Sequence, residues 1–159
     1  GDLDPFAVMD MLDREQMTTD EMRTVLCKQS GLKGLSSIDS GDMRDILDAQ
    51  KEGNERAALA VDTYVYDIKK YIGAYAAAMN GLDVIVFTGG IGERSVEIRA
   101  RVCEGLTFLG ITLDPARNKR KESQMIISSD EAKTLAAVII ANEERIIVRE
   151  VVNVIEKMT

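Results

Sequence analysis

The stretch from Asp83 to Ser95, D-V-I-V-F-T-G-G-I-G-E-R-S, limits what this chain can fold into more than any other, because an apolar β-rich segment breaks into glycines and then resumes as a helix. Val84, Ile85, Val86 and Phe87 read as a short strand buried on both faces. Gly89, Gly90 and Gly92 permit positive φ and remove the Cβ atoms that would hold a ligand off the backbone, while Ser95 and Glu97 suit the start of the next helix. N–H groups left free at such a helix start face an anion. On spacing alone, a phosphate loop and a plain tight turn fit equally well.

Around this stretch the apolar spacing divides the chain into a helical first half and an alternating second half. Pro5 to Leu12 reads as a short helix, and Thr19-Asp20-Glu21 caps a second that runs through Met22, Val25 and Leu26 to Gly31. Gly31 to Gly41, rich in Ser and Gly, reads as a loop. Asp42 caps a helix carrying Met43, Ile46 and Leu47, which Glu52-Gly53-Asn54 ends. Ala58, Val61, Val65, Ile68, Ile72, Tyr75, Ala76 and Met79 then recur at helical spacing, so the longest helix runs from Glu55 to about Asn80 and stops at Gly81. Beyond it the pattern predicts strands at 83–88, 109–113, 125–128 and 136–141, with helices at 95–107, near Pro115 and at 142–157. The expected class is α/β, as one domain over 1–159 that is helical over 1–82 and layered over 83–159. Arg117 to Glu122 reads as a solvated surface turn.

Composition narrows the function. The net charge of −7, the absence of Trp and the few aromatics argue against binding nucleic acid. No apolar run is long enough to span a bilayer, and no secretory leader is evident, so a cytoplasmic location is expected. Cys27 and Cys103 have no metal-ligand or C-x-x-C spacing and read as idle thiols of a reducing compartment.

A series of strings, in order, carries a family resemblance. Gly1-Asp2-Leu3-Asp4-Pro5 comes first, then Lys28 to Ser36 (K-Q-S-G-L-K-G-L-S) with Asp42-Met43-Arg44-Asp45-Ile46, and then Lys70 to Ala76 (K-Y-I-G-A-Y-A). Val86 to Glu93, Val102 to Leu106 with Phe108 to Ile111, and Asn142-Glu143-Glu144 complete the set. Together they resemble the acetate kinase family, whose members form acyl phosphates from ATP and a short carboxylate such as acetate or propionate. The resemblance implies part of the ribonuclease-H-like fold shared by sugar kinases, heat-shock ATPases and actin, in which ATP lies between two halves. It further implies a carboxy-terminal, nucleotide-holding portion of a homodimeric enzyme. With no His in the sequence, and with the family's acetate-side residues in the other half, that portion alone is expected to be inactive.

The same resemblance assigns roles. Gly90, Ile91, Gly92, Glu93 and Arg94 would form the adenine-nucleotide loop. Asp42, Met43 and Arg44 would reach the nucleotide, with Arg44 near the phosphates as the catalytic candidate. Glu143 would help bind Mg2+ (or Mn2+), a hard cation that takes oxygen ligands. Without the resemblance, Asp42 is a helix cap, Arg44 a solvated cation and Glu143 a first-turn acid. Arg94 stands where the family commonly has Asn, and Ile140-Ala141 where it usually has Pro-Thr, which bears on base recognition and on the surroundings of the metal. Two other readings stay open. One is a dinucleotide-dependent oxidoreductase, with Gly90-x-Gly92 after a strand and Asp114 as the ribose-binding acid, although Ser95 replaces the third glycine. The other is a non-catalytic nucleotide-sensing or interaction domain.

Overall fold

A computed structural model describes residues 3–158, excluding the side chains of Glu143, Lys157 and Met158. Gly1 and Asp2 of the first string therefore lie outside the described residues. The chain divides into two compact units, Gly1–Tyr66 and Asp67–Thr159, and the division falls inside the longest helix rather than at residue 82, where the sequence changes character.

The first unit holds helices α1 (Pro5–Arg14), α2 (Thr19–Thr24), α3 (Gly31–Ser36), α4 (Met43–Lys51) and the start of α5 (Glu55–Ala78). Asp4 caps α1 and Pro5 opens it, where a missing N–H costs nothing. The cap of α2 is Thr18, one residue earlier than expected. Its hydroxyl accepts the Glu21 N–H at 3.3 Å while the Glu21 carboxylate accepts the Thr18 N–H at 2.7 Å, a reciprocal capping box. Helix α2 does not run on to Gly31 but widens into a π-helical turn over Val25–Gln29. The expected Gly31–Gly41 loop is helical over its first half, as α3. The reason lies outside the segment: Arg56, on α5, donates from Nε to the Leu35 carbonyl at 3.2 Å and from Nη2 to the Gly34 carbonyl at 3.1 Å. Two carbonyls at the end of α3 are thereby satisfied. Met22, Met43, Ile46, Leu47, Ala57, Ala60, Val61 and Val65 are buried. Each larger side chain among them contributes about 1.5–3 kcal/mol by leaving water.

The second unit contains the rest of α5, then β1 (Val84–Phe87), α6 (Gly89–Arg94), α7 (Val96–Cys103), a 3₁₀ turn at Thr107–Leu109, α8 (Pro115–Asn118), β2 (Gln124–Ile126), β3 (Leu135–Ile139) and α9 (Glu143–Met158). Its strands form a sheet in the order β1-β3-β2, with β1 parallel to β3 and β2 antiparallel to it. Phe87, Ile98, Val102, Ile111, Ile127 and Val138 are among its buried residues.

Several expectations need correction. β1 is an edge strand, and Val84 and Val86 are each 44% exposed, so it is not buried on both faces. The strand expected at 109–113 reduces to single bridges, Ile111 with Thr134 and Leu113 with Ser128. A tight crossing there explains the interruption: Gly110 has φ +79, and a Cβ on it would stand 2.8 Å from the Lys133 Cβ. Tyr75 and Met79, assigned to the core stripe of α5, are each 61% exposed. Arg117 and Asn118 are not a solvated turn. Arg117 donates to the Ser128 carbonyl and pairs with Asp130 at 2.7 Å, and Asn118 is buried. No helix among the described residues is long and apolar enough to cross a membrane.

Candidate functional site

The glycines after β1 form a helix rather than an open loop. Gly89 takes φ +72 at the turn out of the strand, and Gly90, Ile91, Gly92, Glu93 and Arg94 follow it in α6. Such a helix has little intrinsic reason to exist. Each glycine costs about 1 kcal/mol relative to Ala, and a helix this short is unstable by itself. Contacts at both ends hold it.

At the amino-terminal end the anchor is Glu93. Its Oε1 accepts the Gly89 N–H at 2.8 Å and, from beyond β3, the Ala141 N–H at 2.8 Å, with the Thr88 hydroxyl at 3.4 Å. The Ala141 bond first, then the Gly89 and Thr88 bonds, hold the carboxyl below the ordinary glutamate range. The Gly89 amide, which a phosphate loop would offer to an anion, is thus given to an internal carboxylate. At the other end stands Arg99 of α7, 1% exposed. Its Nη1 donates to the Gly92 and Glu93 carbonyls at 2.9 and 2.8 Å, its Nε to Asn118 Oδ1 at 2.7 Å and its Nη2 to the Asn118 carbonyl at 2.7 Å. Asn118 is fixed in turn by donating from Nδ2 to the Val96 carbonyl at 3.0 Å. Ser95 ends α6 and caps α7, accepting the Ile98 N–H at 3.2 Å.

This framing leaves an open cleft of about 460 Å³ lined by Gly89, Gly90, Glu93, Arg94, Ala141, Asn142 and Glu144. Gly90 is exposed, and a Cβ on it would meet nothing within 4 Å, so the backbone there is open to a ligand. A Cβ on Gly92 would touch Phe87 at 3.5–3.6 Å, so this glycine faces the strand instead. Arg94 is exposed at the rim.

The other expected segment lies in the first unit. Asp42 caps α4, accepting the Arg44 N–H at 2.8 Å, and its carboxylate also takes the Arg44 guanidinium, Nε at 3.0 Å and Nη2 at 2.7 Å. The Arg44 side chain, then its backbone N–H, lowers the Asp42 pKa to about 2. Arg44 itself is exposed. Met43 is 4% exposed, so its side chain belongs to the interior of the unit with Ile46 and Leu47.

Glu143 begins α9, but its side chain lies outside the described residues. Among the described residues no group of three His, Cys, Asp or Glu could hold a metal ion. Magnesium does not require such a cage, because it keeps waters and binds through one or two carboxylates plus substrate phosphates. Asp114, the acid of the oxidoreductase reading, caps α8 by accepting the Ala116 and Arg117 N–H groups, and Arg117 lies 3.4 Å from it. Of the two thiols, Cys27 is exposed and Cys103 is buried, burial pushing the latter up to about 11.

A family model described as "Acetokinase family" matches residues 1–149. The chain belongs to that family. An acetate kinase of Alkaliphilus metalliredigens is 47% identical over 150 residues, covering 94% of this chain but 38% of the relative. The crystal structure of Porphyromonas gingivalis acetate kinase superposes with a TM-score of 0.86 at 40% identity, over 98% of this chain and 39% of that one. A propionate kinase from Francisella tularensis superposes with a TM-score of 0.78 at 33% identity, over 91% of this chain and 36% of that one. The chain therefore spans about two fifths of the length of the acetokinases it matches, and its fold is an α/β portion of the ribonuclease-H-like kinase architecture.

Arg99 and Asn118 are the residues that sequence reasoning missed. Nothing local marks them: Arg99 falls on a helix of ordinary amphipathic pattern, and Asn118 falls in a basic run. The available signal was indirect, since a glycine-rich helix needs an outside partner for its last carbonyls.

Proposed function

We propose that this chain is the nucleotide-binding portion of an acetate or propionate kinase, which transfers the γ-phosphoryl group of ATP to the carboxylate to give ADP and an acyl phosphate. The observation that carries the proposal is the cleft beside α6. There Gly90 and Arg94, from the family's nucleotide loop, line one space with Asn142 and Glu144, from its acidic string. Gly90 supplies open backbone for the nucleotide, and Arg94 supplies a donor where relatives commonly have an amide. Glu93 acts mainly on the protein, holding the start of α6 to the segment that follows β3.

Phosphoryl transfer asks for positioning, a divalent cation and positive charge more than for covalent chemistry. Arg44 is the proposed cationic group. It would leave Asp42 or share it when phosphates arrive. Glu143 is the proposed carboxylate for Mg2+ or Mn2+. The sequence contains no His, and the relatives extend far beyond it, so the chain alone is expected to bind nucleotide without making acyl phosphate. Cytoplasmic location and self-pairing are part of the same proposal. In α9, Ile147, Val151 and Val154 are each more than half exposed, and this apolar stripe suits a second copy, while Met158, expected on the same face, lies outside the described side chains. Sedimentation over a wide concentration range checks this. Reversible association that Val151→Asp weakens is expected, and a monomer at all concentrations contradicts it.

Calorimetric titration with Mg-ATP and separately with NADH tests the function. Heat with Mg-ATP, lost in Gly90→Val, is the expected result. Binding of NADH with no response to Mg-ATP would return the chain to the oxidoreductase reading.

A further inference from the structure

We infer that Arg99 is a positioning residue for the cleft, holding the glycine helix α6 in shape from within the protein while touching no ligand itself. Three observations carry this. First, the guanidinium is 1% exposed, so it is not available to a substrate. Second, its acceptors are neutral: the Gly92, Glu93 and Asn118 carbonyls and the Asn118 side-chain oxygen. A buried cation normally pairs with a carboxylate, whereas this one spends its charge on the negative end of a helix dipole, where a single nitrogen bridges two successive carbonyls. Third, the helix so held is the glycine-rich α6, which places Gly90 and Arg94 on the cleft. Asn118, buried and tied to the Val96 carbonyl, orients the guanidinium from behind.

The arrangement clamps α6 at both ends. Glu93 ties its start to Ala141, and Arg99 ties its last turn to α7 and α8. Without Arg99 the Gly92 and Glu93 carbonyls would lose their shared donor, and the glycines would let the segment unwind at little cost. Its consequence for nucleotide binding rests on the function proposed above; the clamp itself does not.

Backbone amide hydrogen exchange, followed residue by residue in the ligand-free chain, separates the two claims. Arg99→Lys keeps a positive charge but cannot reach four acceptors. It is expected to speed exchange in α6 by about tenfold or more relative to α4 and to the core of α5. Asn118→Ala leaves the two bonds to α6 intact and removes the side-chain anchor of Nε, and a smaller, severalfold increase confined to α6 and α7 is expected. Should Arg99→Lys fail to fold, the Asn118→Ala result decides alone. Equal acceleration in every helix, or an unchanged α6 in a folded variant, would reduce Arg99 to a general stability contact and overturn the inference. Selective loosening of α6 in a chain that shows no heat with Mg-ATP would leave the clamp standing while removing the nucleotide reading.

Discussion

Helices α3 and α6 pose the same physical problem and solve it to different degrees. Both are short, contain glycine, and would not persist alone, and in both an arginine from a later helix satisfies two carbonyls near the end. Arg56 does this for α3 from an exposed position, with bonds of 3.1 and 3.2 Å. Arg99 does it for α6 from a buried one, with bonds of 2.8 and 2.9 Å and two more to Asn118. In water an arginine competes with solvent for each carbonyl, so its net effect is small. In the interior it has no competitor, and its removal leaves buried acceptors empty. The surface tie shapes a turn; the buried one fixes a cleft.

The largest effect should come from the buried arginine. Arg99→Met deprives three buried or half-buried residues, Gly92, Glu93 and Asn118, of their donor, and a loss of about 3 kcal/mol in urea unfolding is expected. A loss below 1 kcal/mol would place Arg99 with Arg56. Ser95→Ala sharpens the picture at the junction between α6 and α7. It removes the cap that accepts the Ile98 N–H, at a cost of about 1 kcal/mol by the same measurement. Arg56→Met is the matched control, with an expected loss of about 0.5 kcal/mol and helical signal fading only over α3. A loss as large as that of Arg99→Met would break the distinction between exposed and buried ties.

The smallest effect is one of pH. Asp42 is held at about 2, chiefly by the Arg44 side chain. Because a folded-state pKa below the unfolded value favours the folded state when the acid is charged, the contribution is complete above about pH 4 and fades as the pH falls toward 2. Carboxyl NMR titration should find the Asp42 midpoint near 2 and move it upward in Arg44→Met. A midpoint in the ordinary aspartate range would show that the Asp42–Arg44 contact does not persist in solution.

Where local chemistry decides structure, the sequence was a good guide. The Asp42 cap, the span of α5 and the α/β alternation follow from side chains within a few residues of one another. Reading failed where distant partners decide. Gly31 to Gly41 and Gly89 to Arg94 look like loops by composition, yet Gly31–Ser36 and Gly89–Arg94 are helical because Arg56, Arg99 and the Ala141 amide reach them across the fold. The strand at 109–113 was lost to the close crossing of Gly110 and Lys133. At the candidate site, Gly90 and Arg94, singled out by the family resemblance, line the cleft. The sequence could not show that Gly92 faces the strand, or that Glu93 bonds to the protein's own amides. Those facts depend on which face of a short helix turns inward, and no periodicity is measurable over so few residues.

The most direct test of the nucleotide cleft is a titration of the isotopically labelled chain with Mg-ATP, followed through its backbone amide resonances. The account predicts shifts at Gly89, Gly90, Arg94 and Asn142 that saturate in the millimolar range, a binding free energy of about −4 kcal/mol, and their disappearance in Gly90→Val. Shifts that avoid these residues, or that survive Gly90→Val unchanged, would contradict it.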